Sequence, residues 1–390
     1  MALNSIELFA GAGGLALGAS LAGFIPKAVI EWNSRACDTI RGNQILGHPL
    51  VRDWPLYEGD VRDHDFSVYE NIDLVAGGAP CQPFSLGGRH KGREDKRDMF
   101  PAAINVVSKL RPRAFLFENV KGLTREAFAP YLRYVELQLS RPELTIRKGE
   151  LWHEHLRRIE REKLSGKNYG LAYIVDFGLL NAADYGVPQR RERLFIVGFR
   201  SDIGANWSFP SPHYSLDGLL YSQWISGEYW DKHGLNQAKR PEIDRRIKAR
   251  VEKLRGVHPR YLQNPWRTVR DAISDLPEPY ESGGSEERFF NHAFQPGAKL
   301  YAGHTGSPLD LPAKTIKAAD HGVPGGENML SDTRGRVRYF TTRESARLQC
   351  FPDDYVFRGS WSECMRQLGN AVQVRLAHIV TSAIAEKLTH

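Results

Sequence analysis

Short apolar runs and small-residue helical stretches alternate through the first 200 residues. "SIELFAG" (5–11), "KAVIEWN" (27–33), "IDLVAGG" (72–78) and "AFLFENV" (114–120) read as buried strands, and "EGDVRD" (58–63) closes another between the second and third of these. Between them, "LALGASLAGF" (15–24), "SRACDTIRGN" (34–43, opened by a serine cap) and "MFPAAINVVSKL" (99–110) carry helical signals. This rhythm predicts an α/β fold with a mostly parallel, doubly wound sheet. "YIVDFGLLNAADYGVP" (173–188) and "RERLFIVGFR" (191–200) add two strands, expected as an antiparallel edge hairpin, and the charged helical tract 131–168 reads as a surface insertion.

From about residue 201 the pattern breaks into short pieces punctuated by Pro, Ser, Gly, Tyr and Trp. A clean helical period returns in "NAVQVRLAHIVTSAIAEKL" (370–388), with Val372, Leu376, Ile379, Val380, Ala383 and Ile384 on one face. An apolar face this late needs a partner, and the N-terminal sheet is the expected one. The expected domains are 1–200 plus 366–390, a smaller irregular domain over 201–335, and a hinge region over 336–365. No internal repeat is visible.

Composition narrows the class. The 390 residues are 41% hydrophobic and 25% charged, with no run of 18 apolar residues, so no membrane span is expected. The start "MALNSIELFAGAGG" lacks a basic leader, so no signal peptide and a cytoplasmic location are expected. Cys37, Cys81, Cys350 and Cys364 form no CxxC pair, and there is no HExxH, so neither a metal site nor a disulfide framework is expected. In "HEH" (153–155) the two histidines point to different helix faces. Net charge is +7, and residues 239–260 hold nine Lys or Arg against three Asp or Glu, with a second cluster in "QRRER" (189–193). Such clusters are either solvated helix faces or the footprint of a polyanion, nucleic acid first.

Two stretches carry candidate chemistry. In "FAGAGG" (9–14), Gly11, Gly13 and Ala16 fit the G-x-G-x-x-G/A spacing of a loop that opens a helix, and Glu31 lies twenty residues beyond Gly11 at a strand end. NAD, FAD and S-adenosylmethionine sites share this geometry, and so does a plain turn for close helix–strand packing. Asp60 at the next strand end suits an adenine amino group, which favours an adenosine ligand. In "GGAPCQPFS" (77–85), Cys81 sits between Pro80 and Pro83 just past a strand, at the edge where α/β sheets bind ligands. It is a nucleophile there or a small core residue; Cys37, Cys350 and Cys364 read as core.

"FAGAGG", "GGAPCQPFS", "ENV" (118–120), "QRRERLFIVG" (189–198) and "QLGNAV" (367–372) occur in the order found in cytosine-5 DNA methyltransferases, and the chain resembles that family, of the bacterial restriction–modification type, over nearly its whole length. The resemblance implies a Rossmann-like S-adenosylmethionine-dependent methyltransferase sheet with a second, smaller DNA-recognition domain, and no metal. It implies that Cys81 attacks cytosine C6, that Glu118 is the acid serving N3, and that Arg193 holds O2 with Arg191 as a phosphate or loop contact. Cofactor contacts would come from Phe9, Gly11, Gly13, Glu31, Trp32, Asp60, Met99, Asn370 and Val372. Ser85 and Arg89, on a glycine-rich loop with Lys91 and Arg93, and Thr315 in "LPAKTI" would contact DNA. The implied partners are a specific site in duplex DNA, whose cytosine must be flipped out, and a restriction endonuclease acting on the same site, with the enzyme a monomer. Trp207, Trp224, Trp230 and Trp266 are either base readers or core. Rival readings are a tRNA methyltransferase of the same fold, an NAD-dependent oxidoreductase, and a non-catalytic DNA-binding protein.

Overall fold

A computed structural model of the chain describes residues 2–80, 99–164, 170–280, 289–300, 305–318, 328–332 and 335–389. The chain divides into two compact units, the first comprising Met1–Leu180, Glu192–Pro210 and Ala377–His390, the second Asn181–Arg191 and Ser211–Leu376. The stretch expected as a hinge, 336–365, therefore belongs to the second unit, as do residues 181–191.

The first unit is built on a seven-stranded sheet of order β3-β2-β1-β4-β5-β7-β6. Its strands are β1 (Leu3–Leu8), β2 (Phe24–Glu31), β3 (Leu56–Glu58), β4 (Leu74–Gly77), β5 (Ala114–Val120), β6 (Tyr173–Asn181) and β7 (Glu192–Arg200). β1 pairs in parallel with β2 and β4, β2 with β3, and β4 with β5, whereas β7 runs antiparallel to β5. The order reverses between β1 and β4, so the carboxyl ends of these two strands frame the switch point where such sheets bind ligands. β3 stops at Glu58, short of the expected 58–63, so Asp60 lies in the turn beyond it. β7 is inserted between β5 and β6, leaving β6 alone at the edge.

Helices α1 (Gly14–Leu21), α2 (Ser34–Ile45), α3 (Phe100–Leu110), α4 (Ala129–Ser140) and α5 (Trp152–Leu164) complete most of this unit. α2 is capped one residue earlier than expected, by the Asn33 side chain accepting from the Ala36 N–H. The expected surface insertion is part of the core: Tyr131, Tyr134, Val135, Leu137 and Leu139 of α4 and Ile159 of α5 are buried in the same apolar cluster as Phe115 and Phe117 of β5. His155 is buried there, Nε2 on the Leu144 carbonyl and Nδ1 on the Tyr134 hydroxyl, both at 2.8 Å. Since a carbonyl only accepts, Nε2 carries the hydrogen, and this is a satisfied core histidine.

The second unit holds α6 (Leu216–Trp224), α7 (Glu228–Lys232), α8 (Arg245–Leu254), α9 (Val269–Ile273), α10 (Thr342–Leu348) and α11 (Trp361–Asn370), with two small sheets. Trp230 is buried with Leu219 and Tyr229, and Trp224 and Trp266 pack against them. Trp207 stands in the first unit, packed on Phe199 and Phe209. All four tryptophans are thus packed in or against their own unit's interior.

The expected helix over 370–388 is present but begins four residues later, at Val374. Ala371 takes an extended backbone (φ −68°, ψ 146°), ending α11, and α12 (Val374–Thr389) begins after it, so Val372 lies between the two. From Ala377 onward α12 packs on α1. Thr381 Oγ1 donates within reach of the Gly18 carbonyl (3.2 Å), and a Cβ on Gly18 would lie 2.4 Å from that of Ala377. The buried stripe is Ala377, Val380, Thr381, Ile384 and Leu388, with Ile379 and Ala383 half-buried at its margin. Among the described residues no helix is long and apolar enough to cross a membrane.

Candidate active site

Where β1 ends, the chain turns sharply. Phe9 holds φ at 54°, rare for an aromatic residue, and Gly11 (55°) and Gly13 (85°) follow in the same left-handed region before α1 begins. Glu31 pins this turn. Its buried carboxylate accepts from the Gly11 N–H through Oε2 and from the Asn33 N–H through Oε1, each at 2.7 Å. Each carboxylate oxygen has two lone pairs, so anchoring the loop is compatible with accepting a ligand hydroxyl. A Cβ on Gly11 would meet nothing within 4 Å, so the space above the loop is open. Trp32, next to Glu31, is 73% exposed and therefore not a core residue. Asp60 is engaged by Arg62, with contacts of 2.9 Å to Nε and 2.5 Å to Nη2. That guanidinium holds its carboxyl below the usual carboxylate range. Phe9 to Gly13, Glu31–Trp32 and Asp60 thus follow the carboxyl ends of three adjacent parallel strands.

The other half of the site follows β4 and β5. Asn119 Nδ2 donates to the Ala79 carbonyl at 3.1 Å, and the Met99 N–H donates to the Pro80 carbonyl at 3.4 Å. The two residues leading to Cys81 are therefore held by β5 on one side and by the start of α3 on the other. Cys81 itself, with Ser85 and Arg89, lies outside the described residues. Glu118 Oε1 and Arg193 Nε form an ion pair at 2.9 Å, nearly out of solvent. Antiparallel register makes this pair: Glu118 stands opposite Phe195 and Val120 opposite Arg193, so the two side chains meet diagonally on one face. Burial lowers the pKa of the Arg193 guanidinium, and the charge of Glu118 opposes that shift. A Cβ on Gly78 would lie 3.4 Å from Glu118 Oε2, which puts the carboxylate beside the chain entering Cys81.

Within the second unit Arg191 takes the loop-contact alternative and not the phosphate one. It is 2% exposed. Its Nη1 donates to the Ile316 carbonyl (2.9 Å) and its Nη2 to those of Gly369 (2.7 Å) and Ala371 (3.1 Å). A guanidinium buried and committed to three carbonyls has no face for a phosphate or a substrate; it clamps the "QLGNAV" stretch. Asn370 is the exposed last residue of α11, and Val372 is buried in the break after it. Thr315 Oγ1 donates to the Arg190 carbonyl at 2.8 Å.

Sequence reasoning missed Asn119, Arg62 and the clamp by Arg191. The first had a signal: alternation along β5 sends Asn119 to the face opposite Glu118 and Val120. The other cysteines differ from a reactive thiol. Burial pushes Cys37 up to about 12 and Cys350 and Cys364 up to about 11, so all three stay protonated at neutral pH. Among the described residues no cluster of His, Cys, Asp and Glu is arranged to hold a metal ion.

The model of the C-5 cytosine-specific DNA methylase family matches residues 3–139 and 153–386. The Type II methyltransferase M.NgoMIV of Neisseria gonorrhoeae is 30% identical over 391 residues, covering 100% of this chain and 99% of that protein. The Type II methyltransferase M.Eco47II of Escherichia coli is 32% identical over 391 residues, covering 98% of this chain and 79% of the relative. In fold, the chain resembles S. pombe Dnmt2 methyltransferase, with a TM-score of 0.52 at 19% identity. It also resembles the Entamoeba histolytica methyltransferase EhMeth, with a TM-score of 0.52 at 12% identity; both likenesses cover the whole of either chain. With the family's pattern running through both units, this chain belongs to the C-5 cytosine-specific DNA methylases and is a DNA (cytosine-5)-methyltransferase.

Proposed function

We propose that the enzyme methylates C5 of a cytosine flipped out of a specific duplex DNA site, through a covalent bond between Cys81 Sγ and C6, with S-adenosylmethionine as donor. The observation that carries this reading is the Glu118–Arg193 pair beside the chain entering Cys81. The open space over Gly11, the Glu31 carboxylate and the exposed ring of Trp32 fit an adenosine ligand, with Phe9, Gly13, Asp60 and Met99 around it. When bound, that cofactor supplies an electrophilic methyl group on a sulfonium. Asn370 and Val372 are proposed as further contacts.

The chain's own residues do the rest. Cytosine C5 is a poor nucleophile until a thiolate adds at C6. The new S–C6 bond takes the C5=C6 π pair out of conjugation, and N3 gains the proton balancing the one lost by the thiol. Glu118, oriented by Arg193, is the acid: it passes a proton to N3 as the S–C6 bond forms and takes it back when the adduct collapses, while Arg193 faces O2 as charge grows there. Once C5 is methylated, loss of its proton restores the double bond and expels the Cys81 thiolate. A free thiol is only about 3% ionised at pH 7, so positioning by Ala79 and Pro80, held by Asn119 and the Met99 N–H respectively, matters as much as acidity.

The enzyme is proposed to act as a cytoplasmic monomer. It would protect host DNA from a restriction endonuclease of the same specificity, a pairing suggested by the Type II relatives. Ser85, Arg89 and Thr315 are proposed DNA contacts. The test is transfer of labelled methyl from S-adenosylmethionine to duplex DNA, tRNA or no acceptor. Label in DNA cytosine supports the reading; label in tRNA alone overturns the substrate.

A further inference from the structure

α8 presents two faces of opposite character. Val251 and Leu254 are buried against Leu220 of α6, with Ile243, Ile247, Val257 and Leu262 packed around them. The apolar stripe of this helix is therefore used within its own unit. That leaves none to lie in a lipid interface or to enter a partner's groove, the usual employment of a basic amphipathic helix.

The opposite face is exposed and basic. Three of its cations are partly neutralised: Arg246 by Asp244, Arg250 by Asp217 and Arg255 by Glu252. Arg245, Lys248 and Lys253 have no acidic partner among the described residues and share the arc away from the buried stripe. Just beyond, the Arg260 guanidinium lies 4.7 Å over the ring of Tyr261, which is 71% exposed. Arg245, in the first turn, opposes the helix dipole and repels Lys248 three residues on, and only Lys253, in the last turn, suits the dipole, so the fold gains little from the three. A polyanion does. At 1.5 Å per residue, Arg245 to Lys253 spans about 12 Å, the length in which one strand of B-DNA presents about three or four phosphates.

We propose that the basic face of α8, continued by the Arg260–Tyr261 pair, binds the sugar–phosphate backbone of duplex DNA, setting affinity and its salt dependence without reading bases. The inference rests on the DNA-methylating reading above and adds a contact outside the catalytic residues. The exposed groups of α8 are charges on flexible stems, which suit phosphates, and phosphate contacts position the protein without carrying sequence information.

The experiment measures duplex binding by the full chain across about 50 to 200 mM salt for the parent and for the triple variant Arg245→Ala, Lys248→Ala, Lys253→Ala. Each lost phosphate contact removes about 0.9 from the slope of log K against log salt. The triple variant should therefore lose about 2 to 3 of that slope and bind at least about tenfold more weakly, cognate and unrelated duplexes by the same factor. An Arg245→Lys, Lys248→Arg, Lys253→Arg variant should restore the slope. An unchanged slope overturns the proposal, as does a loss confined to the cognate duplex. A parent that neither binds nor methylates duplex DNA sinks the functional reading instead, so the two failures are distinguishable. Equal melting temperatures of parent and variant exclude misfolding, as expected for three exposed side chains.

Discussion

Glu118 and Arg193 are most informative read as a pair. Removing one partner of a nearly buried ion pair leaves the other charged and desolvated. Arg193→Ala should cost about 10²- to 10³-fold in single-turnover methyl transfer, the usual toll for a group stabilising developing charge, and Arg193→Lys should recover only part because an ammonium cannot fork between Glu118 and a base oxygen. Rates within threefold of the parent would remove Arg193 from the chemistry. Both residues were legible from short motifs. The commitments of Arg191 were not, because its carbonyl partners lie 125, 178 and 180 residues away and no local pattern announces them. Glu7 is a second residue hidden from sequence. In "SIEL" it alternates as a polar strand position, yet it is 1% exposed, and burial pushes its carboxyl from 4.5 up to about 8. The unfolded chain ionises this group near 4.5, so the stability it contributes is full below that pH and is lost as the pH rises to about 8. At about 1.4 kcal/mol per unit the loss is at most about 4–5 kcal/mol. Glu7→Gln should therefore melt above the parent at pH 8, with the gap closing below pH 5; a gap independent of pH would contradict this.

Between elements, the contact of α1 with α12 shows how opposing local and tertiary terms are settled. Helix propensity favours Ala over Gly by about 1 kcal/mol. At Gly18, however, the added methyl would sit 2.4 Å from the Ala377 Cβ and 2.6 Å from the His378 backbone nitrogen, and backbone does not yield cheaply. Overpacking of this kind costs about 1–3 kcal/mol, so Gly18→Ala should destabilise in urea unfolding; a midpoint at or above the parent's would mean the helices separate freely. The amphipathic period of the last stretch revealed α12 and its need for a partner. The break at Ala371 was not legible, because nothing in "GNAVQV" bars a helix and the extended turn there is held by the Arg191 clamp. The 131–168 tract misled in the opposite way. Its charges are real, but they decorate the outer faces of α4 and α5, and the aromatic stripe Tyr131, Tyr134 and Trp152 carries the packing.

Across the whole chain, the alternation of strands and helices was readable because a parallel sheet buried on both faces demands near-continuous apolar runs. The second unit was not readable in the same way. Its strands are two or three residues long, and its tryptophans serve small local cores that look, in sequence, like exposed aromatic contacts. The net charge of +7 is a property of the whole molecule, and the basic face of α8 is where the proposed DNA-backbone contact draws on it. The proposed reaction turns on one covalent event. Duplex DNA in which the target cytosine carries fluorine at C5 should trap it, since fluorine cannot leave as a cation once C5 is methylated and the thiolate cannot be expelled. Incubation of the enzyme with this duplex and S-adenosylmethionine should give a protein–DNA band that survives denaturing electrophoresis. Cys81→Ala should give none while still binding the duplex. A band of equal intensity from Cys81→Ala, or none from the parent while it methylates ordinary DNA, would contradict the assignment of Cys81 as the nucleophile.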